Sequence, residues 1–125
     1  MSGRRDESLV LDDLVRSASR LIDVVGPLPP GRLGSDPDLD EVVLWNLAVL
    51  GEASKRLLPA TRARLPDMPW AEFARTRDLV VHHYEGILWP LVEQIAGGDL
   101  PSLLPRLIEI RDELRAEFDR DAARG

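Results

Sequence analysis

The 125-residue sequence contains no cysteine, which excludes a disulfide framework and a thiolate metal site. No apolar run approaches the roughly 20 residues that a membrane-spanning helix needs. Residues 1–7 include no apolar stretch of the signal-peptide type. We therefore expect a single cytoplasmic domain with no bound metal, no cofactor and no membrane partner.

The sequence has no net positive charge, because its formal charge is −6. This charge argues against a protein that coats nucleic acid without sequence preference. The distribution is uneven, however. Positions 55–77 hold six basic and two acidic residues, so this segment carries +4 and the remainder −10. The segment is either a local basic surface or an ordinary solvated helix face, and the composition leaves both possibilities open.

No segment shows the alternating pattern of a β-strand, and apolar residues instead recur at helical spacings of three and four. The predicted helices cover residues 8–25, about 39–58, 59–64, 70–84, 87–96 and 100–120. We predict an all-α bundle of about five helices joined by short connections. It forms one domain over residues 1–125, with frayed ends at residues 1–6 and 121–125.

Several helix ends and side chains carry more specific predictions. Asp38 or Asp40 is expected to cap the second helix. We expect Gly97-Gly98-Asp99 to end one helix, with Asp99 capping the last. Within the second helix, Trp45 is expected near the buried face. Glu52 and Arg56, four residues apart, are expected to form a surface ion pair rather than catalytic machinery.

A separate expectation concerns Trp70, which stands at a predicted helix start beside Phe73. No other aromatic residues interleave with it, so we predict a core anchor rather than a platform for stacking bases.

Both histidines and the only tyrosine stand together at positions 82–84, at the end of a predicted helix. Histidine is the usual general acid or base near neutral pH. Arg77, five residues before His82, could hold a phosphate through its planar fork of donors. Asp78 lies four residues before His82 and could orient the imidazole. The combination favours chemistry on a phosphate ester, although the histidines could instead be structural or merely solvated. One helix cannot enclose a substrate, so a partner or a dimer mate is implied.

The arrangement Arg77, four residues, His82, one residue, Tyr84 resembles the Arg-x-x-x-x-His-x-Tyr signature of HEPN-domain proteins of the HepT type. A second block supports the resemblance: residues 51–57, GEASKRL, are similar to the GEAAKRL stretch of that group.

Further blocks occur in the same order as in the group. Residues 69–70, PW, followed by residues 77–82, RDLVVH, resemble its PW…RN-x-x-x-H block. Trp89 and residues 100–101, Leu-Pro, also stand where the group carries a Trp and a Leu-Pro. The resemblance spans roughly residues 7–115, and the ordered set is more specific than the signature alone.

The resemblance implies a homodimer with two signatures facing each other across a cleft. It also implies the toxin of a type VII-like pair in the HepT/MntA toxin–antitoxin group, a metal-independent endoribonuclease neutralised by a minimal nucleotidyltransferase antitoxin. By position, His82 would be the general base or acid and Arg77 would hold the scissile phosphate. Asp78 would be the polar residue after the arginine, where the group often has Asn. Tyr84 would accept AMP from the antitoxin, and His83 fills the variable position.

The implied chemistry suits these residues. Cleaving RNA without a metal needs a base for the 2′-OH proton and a donor for the charge that develops on the phosphorane. Lys55, Arg56 and Arg75 are the expected RNA contacts, with salt-sensitive affinity. Two alternatives remain open: a non-catalytic HEPN module that binds a nucleotide or a nucleotidyltransferase, and a purely structural helical dimer.

Overall fold

A computed structural model describes residues 5–124, and every regular element in that range is helical. The α-helices are α1 (Glu7–Val25), α2 (Pro37–Arg56), α3 (Pro59–Arg62), α4 (Trp70–His82), α5 (Trp89–Gln94) and α6 (Leu100–Arg124). A 3₁₀ turn, Tyr84–Gly86, follows α4, and a π-helical turn, Ile95–Asp99, joins α5 to α6. Counting α5 and α6 as one continuous rod gives five helical rods, which confirms the predicted all-α bundle.

Helix α1 forms because its apolar residues share one face and its first turn is capped. Asp6 accepts a hydrogen bond from the backbone N–H of Ser8, satisfying a donor that has no partner within the helix. Leu11, Leu14 and Ala18 are fully buried at spacings of three and four. The helix therefore lies against the rest of the bundle along its whole apolar stripe.

Helix α2 begins two residues earlier than predicted, and its cap is a different aspartate. Asp36, rather than Asp38 or Asp40, accepts the hydrogen bond from the backbone N–H of Leu39. Pro37 suits the first helical position because its missing N–H would have no intrahelical partner there. Asp40 instead accepts a hydrogen bond from the backbone N–H of Gly34 at 2.8 Å, closing the preceding loop onto the helix.

The order of packing is α4, α2, α1, α6: α2 contacts both α4 and α1, and α1 contacts α6. The apolar side chains between these helices form a single buried core. Trp70 joins this core, as predicted: its ring meets Phe73 edge-on, and its Nε1 donates to the carbonyl of Leu65 at 3.0 Å. Helix α4 is thus an outer element of the bundle, anchored at its first turn.

Gly51 allows α2 and α4 to approach each other closely. A Cβ placed on Gly51 would lie 2.3 Å from the Cβ of Arg77 and 2.6 Å from the carbonyl oxygen of Phe73. Neither neighbour is the free end of a flexible side chain, so any larger residue would push the helices apart. This contact brings Arg77 directly onto α2.

The C-terminal half differs from the prediction that Gly97-Gly98-Asp99 would end a helix. These residues continue the helical path as part of the π turn, and the N–H of Leu100 bonds to the carbonyl of Ile95. Neither glycine has the positive φ of a helix-ending glycine, and buried Ile95 and Leu100 hold the turn against the core. The prediction that Asp99 caps a new helix was therefore wrong.

The two predicted frayed ends are only partly within the described residues. Residues 1–4 and 125 lie outside them. Residues 121–124, expected to be frayed, belong to α6. Between residues 5 and 124, no helix combines the length and apolar character needed to cross a membrane.

Candidate functional site

Helix α4 ends at His82, two residues before its predicted end. His83 leaves the helix with φ −142° and ψ 62°, and Tyr84 begins the 3₁₀ turn. Three residues after Tyr84, Ile87 is buried in the core. His82, His83 and Tyr84 are all exposed, with 53% of Tyr84 accessible to solvent. Arg77 and Tyr84 therefore do not lie on the same helix.

The guanidinium of Arg77 is held between two carboxylates. Its Nε lies 3.2 Å from Oε2 of Glu52 on α2, and its Nη1 donates to Oδ1 of Asp78 at 3.1 Å. Only 25% of the Arg77 side chain is exposed. Within residues 5–124, Nη2 of Arg77 donates no hydrogen bond. This nitrogen could therefore donate to an incoming anion.

Asp78 faces cations rather than the histidine that it was expected to orient. Its Oδ1 accepts from Arg77 and lies 3.4 Å from Nζ of Lys55 on α2. The hydrogen bond from Arg77 lowers the pKa of the Asp78 carboxyl below its usual 3.8, and Lys55 lowers it further. The described part of the chain gives the His82 and His83 side chains no hydrogen bond or ion pair. The prediction that Asp78 orients the imidazole therefore does not hold within this chain.

The predicted ion pair between Glu52 and Arg56 is also replaced. Glu52 reaches Arg77, while Nη2 of Arg56 lies 3.6 Å from Oδ2 of Asp13 on α1. Contact between helices decides both pairings, because the close approach at Gly51 puts the Arg77 cation beside Glu52. Glu52 is thus a site residue that the helix-pair argument assigned elsewhere. The available signal was its position directly after Gly51 in the GEASKRL block.

The three residues expected to contact RNA are all exposed but do not share one surface. Lys55 and Arg56 lie on the side of α2 that meets Asp78 and the groove described next. Arg75 forms an ion pair with Glu72 at 3.7 Å. It precedes Arg77 by two residues, which turns it roughly 160° away around α4. The structure therefore brings Lys55 and Arg56, but not Arg75, to the side of Arg77.

A groove of about 600 Å³ runs between α1, α2 and α4. Arg77 and Val81 of α4 line one wall, and residues of α2, including Trp45 and Glu52, line another. His82 is not among the lining residues. It follows Arg77 by five residues, so the two side chains leave α4 about 140° apart. One copy of the chain therefore does not gather the signature residues into a single concave site.

Within residues 5–124, no group of three or more His, Cys, Asp or Glu side chains is placed to hold a metal ion. The cationic side chains that line the groove are Arg16, Arg56 and Arg77, and Lys55 lies beside Asp78.

Comparison with known proteins shows which family this sequence matches. The sequence model of the family described as "HepT-like: Ribonuclease HepT-like" matches residues 16–110, well over half of the chain. The matched region contains every residue that lines the groove except Asp13, and the whole segment from Arg77 to Tyr84.

Individual relatives agree with this match. A Methanocaldococcus jannaschii protein named "Putative RNase MJ0127" is 27% identical over 114 residues, covering 91% of this chain and 94% of the relative. Another from that organism, "Putative RNase MJ1380", is 27% identical over 100 residues, 80% of this chain and 92% of its own length. "Probable ribonuclease HepT" of Thermococcus cleftensis is 36% identical over 73 residues, 55% of this chain and 63% of its own length. No solved structure matches the chain significantly.

Proposed function

Because this chain belongs to the HepT-like ribonuclease family of HEPN-domain proteins, we propose that it is an endoribonuclease that cleaves RNA without a metal ion. The observation that carries the proposal is the state of Arg77. Two carboxylates orient its guanidinium at the edge of a groove, and its Nη2 donates no hydrogen bond within the described residues. An oriented, partly exposed guanidinium of this kind suits a phosphodiester.

In the proposed reaction, His82 takes the proton from a ribose 2′-OH or returns one to the leaving 5′-oxygen. The 2′-oxygen attacks phosphorus, the bond from phosphorus to the 5′-oxygen breaks, and Arg77 stabilises the charge on the phosphorane. Exposure of His82 supports this role, because no partner among residues 5–124 competes for the nitrogens of its ring. Asp78 stays ionised beside Arg77 and would help to hold that guanidinium in place.

We propose that the active form is a homodimer. Arg77 and His82 leave α4 in directions about 140° apart, so a second copy is needed to close a site around one phosphate. The exposed end of α4 supports this arrangement, since Val81, His82 and Tyr84 are not covered by the chain itself. The two signature segments would then face each other across a cleft.

We further propose that the protein is the toxin of a type VII-like pair and that a minimal nucleotidyltransferase neutralises it. The phenolic oxygen of Tyr84 would attack the α-phosphorus of ATP, with pyrophosphate leaving and the phenol proton passing to a base. Exposure of Tyr84 supports this step. The attached AMP would lie beside His82 and add a charged, bulky group where RNA must enter.

The experiment that tests the proposed ribonuclease compares the parent with His82→Ala and His83→Ala on total RNA in EDTA. Cleavage by the parent and His83→Ala, but not by His82→Ala, is the expected result. Because all three proteins must fold alike, thermal unfolding accompanies the assay. Equal cleavage by His82→Ala would remove His82 from the mechanism.

A non-catalytic HEPN module is the second candidate, because the groove holding Arg77 excludes His82 within one copy. It predicts RNA or nucleotide binding without cleavage by the parent. An intact-mass measurement of the same sample separates this outcome from a protein already carrying AMP on Tyr84.

A further inference from the structure

Trp45 is the most exposed large apolar side chain in the range 5–124, with 71% of its surface accessible. The sequence pattern predicted a place near the buried face, but its neighbours Val43 and Leu44 occupy that face instead. An indole this exposed can offer a ring face to a planar partner. At this exposure the indole contributes little hydrophobic stabilisation to the core, and its ring is available to a binding partner.

The indole stands in the same groove as Arg77. Trp45, Val49, Glu52 and Arg56 follow spacings of three, four and seven along α2 and line one wall. Arg77 pairs with Glu52, seven residues after Trp45, which places the indole roughly 10 Å along the groove from the guanidinium. At that separation, a base stacked on Trp45 would belong to a nucleotide next to the phosphate that Arg77 binds.

The volume of the groove gives such a base room. About 600 Å³ is open in it, and two of the residues that line it, Ser17 of α1 and Ala48 of α2, have small side chains.

Charge in the groove also favours an anionic ligand. Arg16, Arg56 and Arg77 outnumber the carboxylates of Asp13 and Glu52, which leaves +1 along the lining. Asp13 pairs with Arg16 and Arg56, and Glu52 pairs with Arg77. Exposed ion pairs of this kind contribute little stability, so a phosphodiester can take the place of a carboxylate.

We propose that this groove is a subsite for single-stranded RNA, in which Trp45 stacks a base flanking the phosphate held by Arg77. The inference rests on the proposed ribonuclease function and names how the substrate is held. Stacking on an aromatic ring is tolerant of base identity, because every base presents a π-face. The subsite therefore contributes affinity and register rather than a strict sequence preference.

The test uses the full chain carrying His82→Ala, so that RNA is bound without being cut. Fluorescence anisotropy measures the affinity for a short labelled single-stranded RNA. Three proteins are compared: one that retains Trp45, Trp45→Phe and Trp45→Leu. Phenylalanine keeps a stacking ring, whereas leucine keeps apolar bulk without one. We expect Trp45→Leu to bind about 10-fold more weakly and Trp45→Phe to stay within about 3-fold of Trp45. Leu9→Ala, at an exposed apolar residue that does not line the groove, serves as the surface control and should bind as Trp45 does.

A series of the same RNA with one abasic nucleotide moved along it makes the test specific. At one position of the RNA, the missing base should weaken binding to the protein that retains Trp45. The same RNA should bind the Trp45→Leu variant as tightly as the intact RNA does. Equal affinity of the Phe and Leu variants overturns the inference. So does a Trp45→Leu variant that sediments as a smaller species, because the indole would then be a contact between copies.

The outcome is independent of the cleavage assay. Parent protein that cleaves RNA without any contrast between the Phe and Leu variants would retain the ribonuclease and lose the subsite. A contrast in binding without cleavage by the parent would retain the subsite and lose the ribonuclease.

Discussion

Gly51 and Arg77 are in contact across the α2–α4 interface so closely that a Cβ on the glycine would lie 2.3 Å from the Cβ of the arginine. The backbone position of Arg77, which we propose binds the phosphate, therefore depends on a residue with no side chain. The same approach brings Arg77 within reach of Glu52, the next residue on α2. Packing of the fold and geometry of the site meet at this one contact.

Gly51→Ala is expected to destabilise the protein and displace Arg77. Overpacking against backbone costs about 1–3 kcal/mol, and the better helix propensity of alanine returns about 1 kcal/mol. Urea unfolding should therefore show a net loss of about 1 kcal/mol and at most about 2 kcal/mol, accompanied by weaker RNA binding.

Gly97→Ala is the matched control, since a Cβ there meets nothing within 4 Å. It should leave the free energy of unfolding unchanged or raise it slightly. If both alanine variants were equally stable, the interface at Gly51 would not be as tight as the structure has it.

Glu52→Gln should strengthen RNA binding, because it removes the charge that competes with phosphate for Arg77 while preserving the shape of the side chain. An exposed ion pair is worth up to about 1 kcal/mol, so we expect a gain of about two- to five-fold at low salt. Anisotropy in the His82→Ala background measures it.

Glu72→Gln removes the same charge from the far side of α4, where Glu72 pairs with Arg75. A gain of equal size in this variant would trace the effect to net charge instead of to the contact with Arg77.

Tyr84 is expected to carry AMP after incubation with the cognate nucleotidyltransferase and ATP. Intact mass should rise by one AMP group, and peptide mapping should place it on the segment containing Tyr84. Tyr84→Phe should stay unlabelled, since it lacks only the phenolic oxygen and the position is exposed. Label on another residue would exclude Tyr84 as the acceptor.

The carboxyl of Asp78 should titrate below 3.8 in an NMR pH titration, because Arg77 and then Lys55 favour its charged form. Lys55→Met should raise the pKa of Asp78, and Arg77→Leu should raise it more. A lowered folded-state pKa contributes stability that is present above the unfolded-state pKa and is lost as pH falls through the folded-state pKa. That contribution is small because the carboxylate is exposed. An Asp78 titration unchanged in both variants would contradict these contacts.

Much of the fold follows from local pattern. The apolar stripe of α1 repeats at spacings of three and four, and helical periodicity acts over a few residues, so the all-α class was predictable. The family was predictable too, because its signature lies in order along one segment of chain. Trp70 as a core anchor could be read from its position beside Phe73 at a helix start.

Side-chain partners were predicted less well because they depend on how helices are rotated against each other. Helix α2 is apolar around most of its circumference from Val42 to Leu50, so periodicity alone could not place Trp45 in solvent. Glu52 had a candidate partner within its own helix, and the approach of α4 at Gly51 gave it another.

The sequence by itself determined the helices, the family and the identity of the signature residues, because each is written in short-range order along the chain. Only the tertiary structure decided that Arg77 lies between Glu52 and Asp78, that His82 does not line the groove, and that Trp45 does. Those relationships arise between helices distant in sequence, where close packing at Gly51 and burial of the core fix which faces meet.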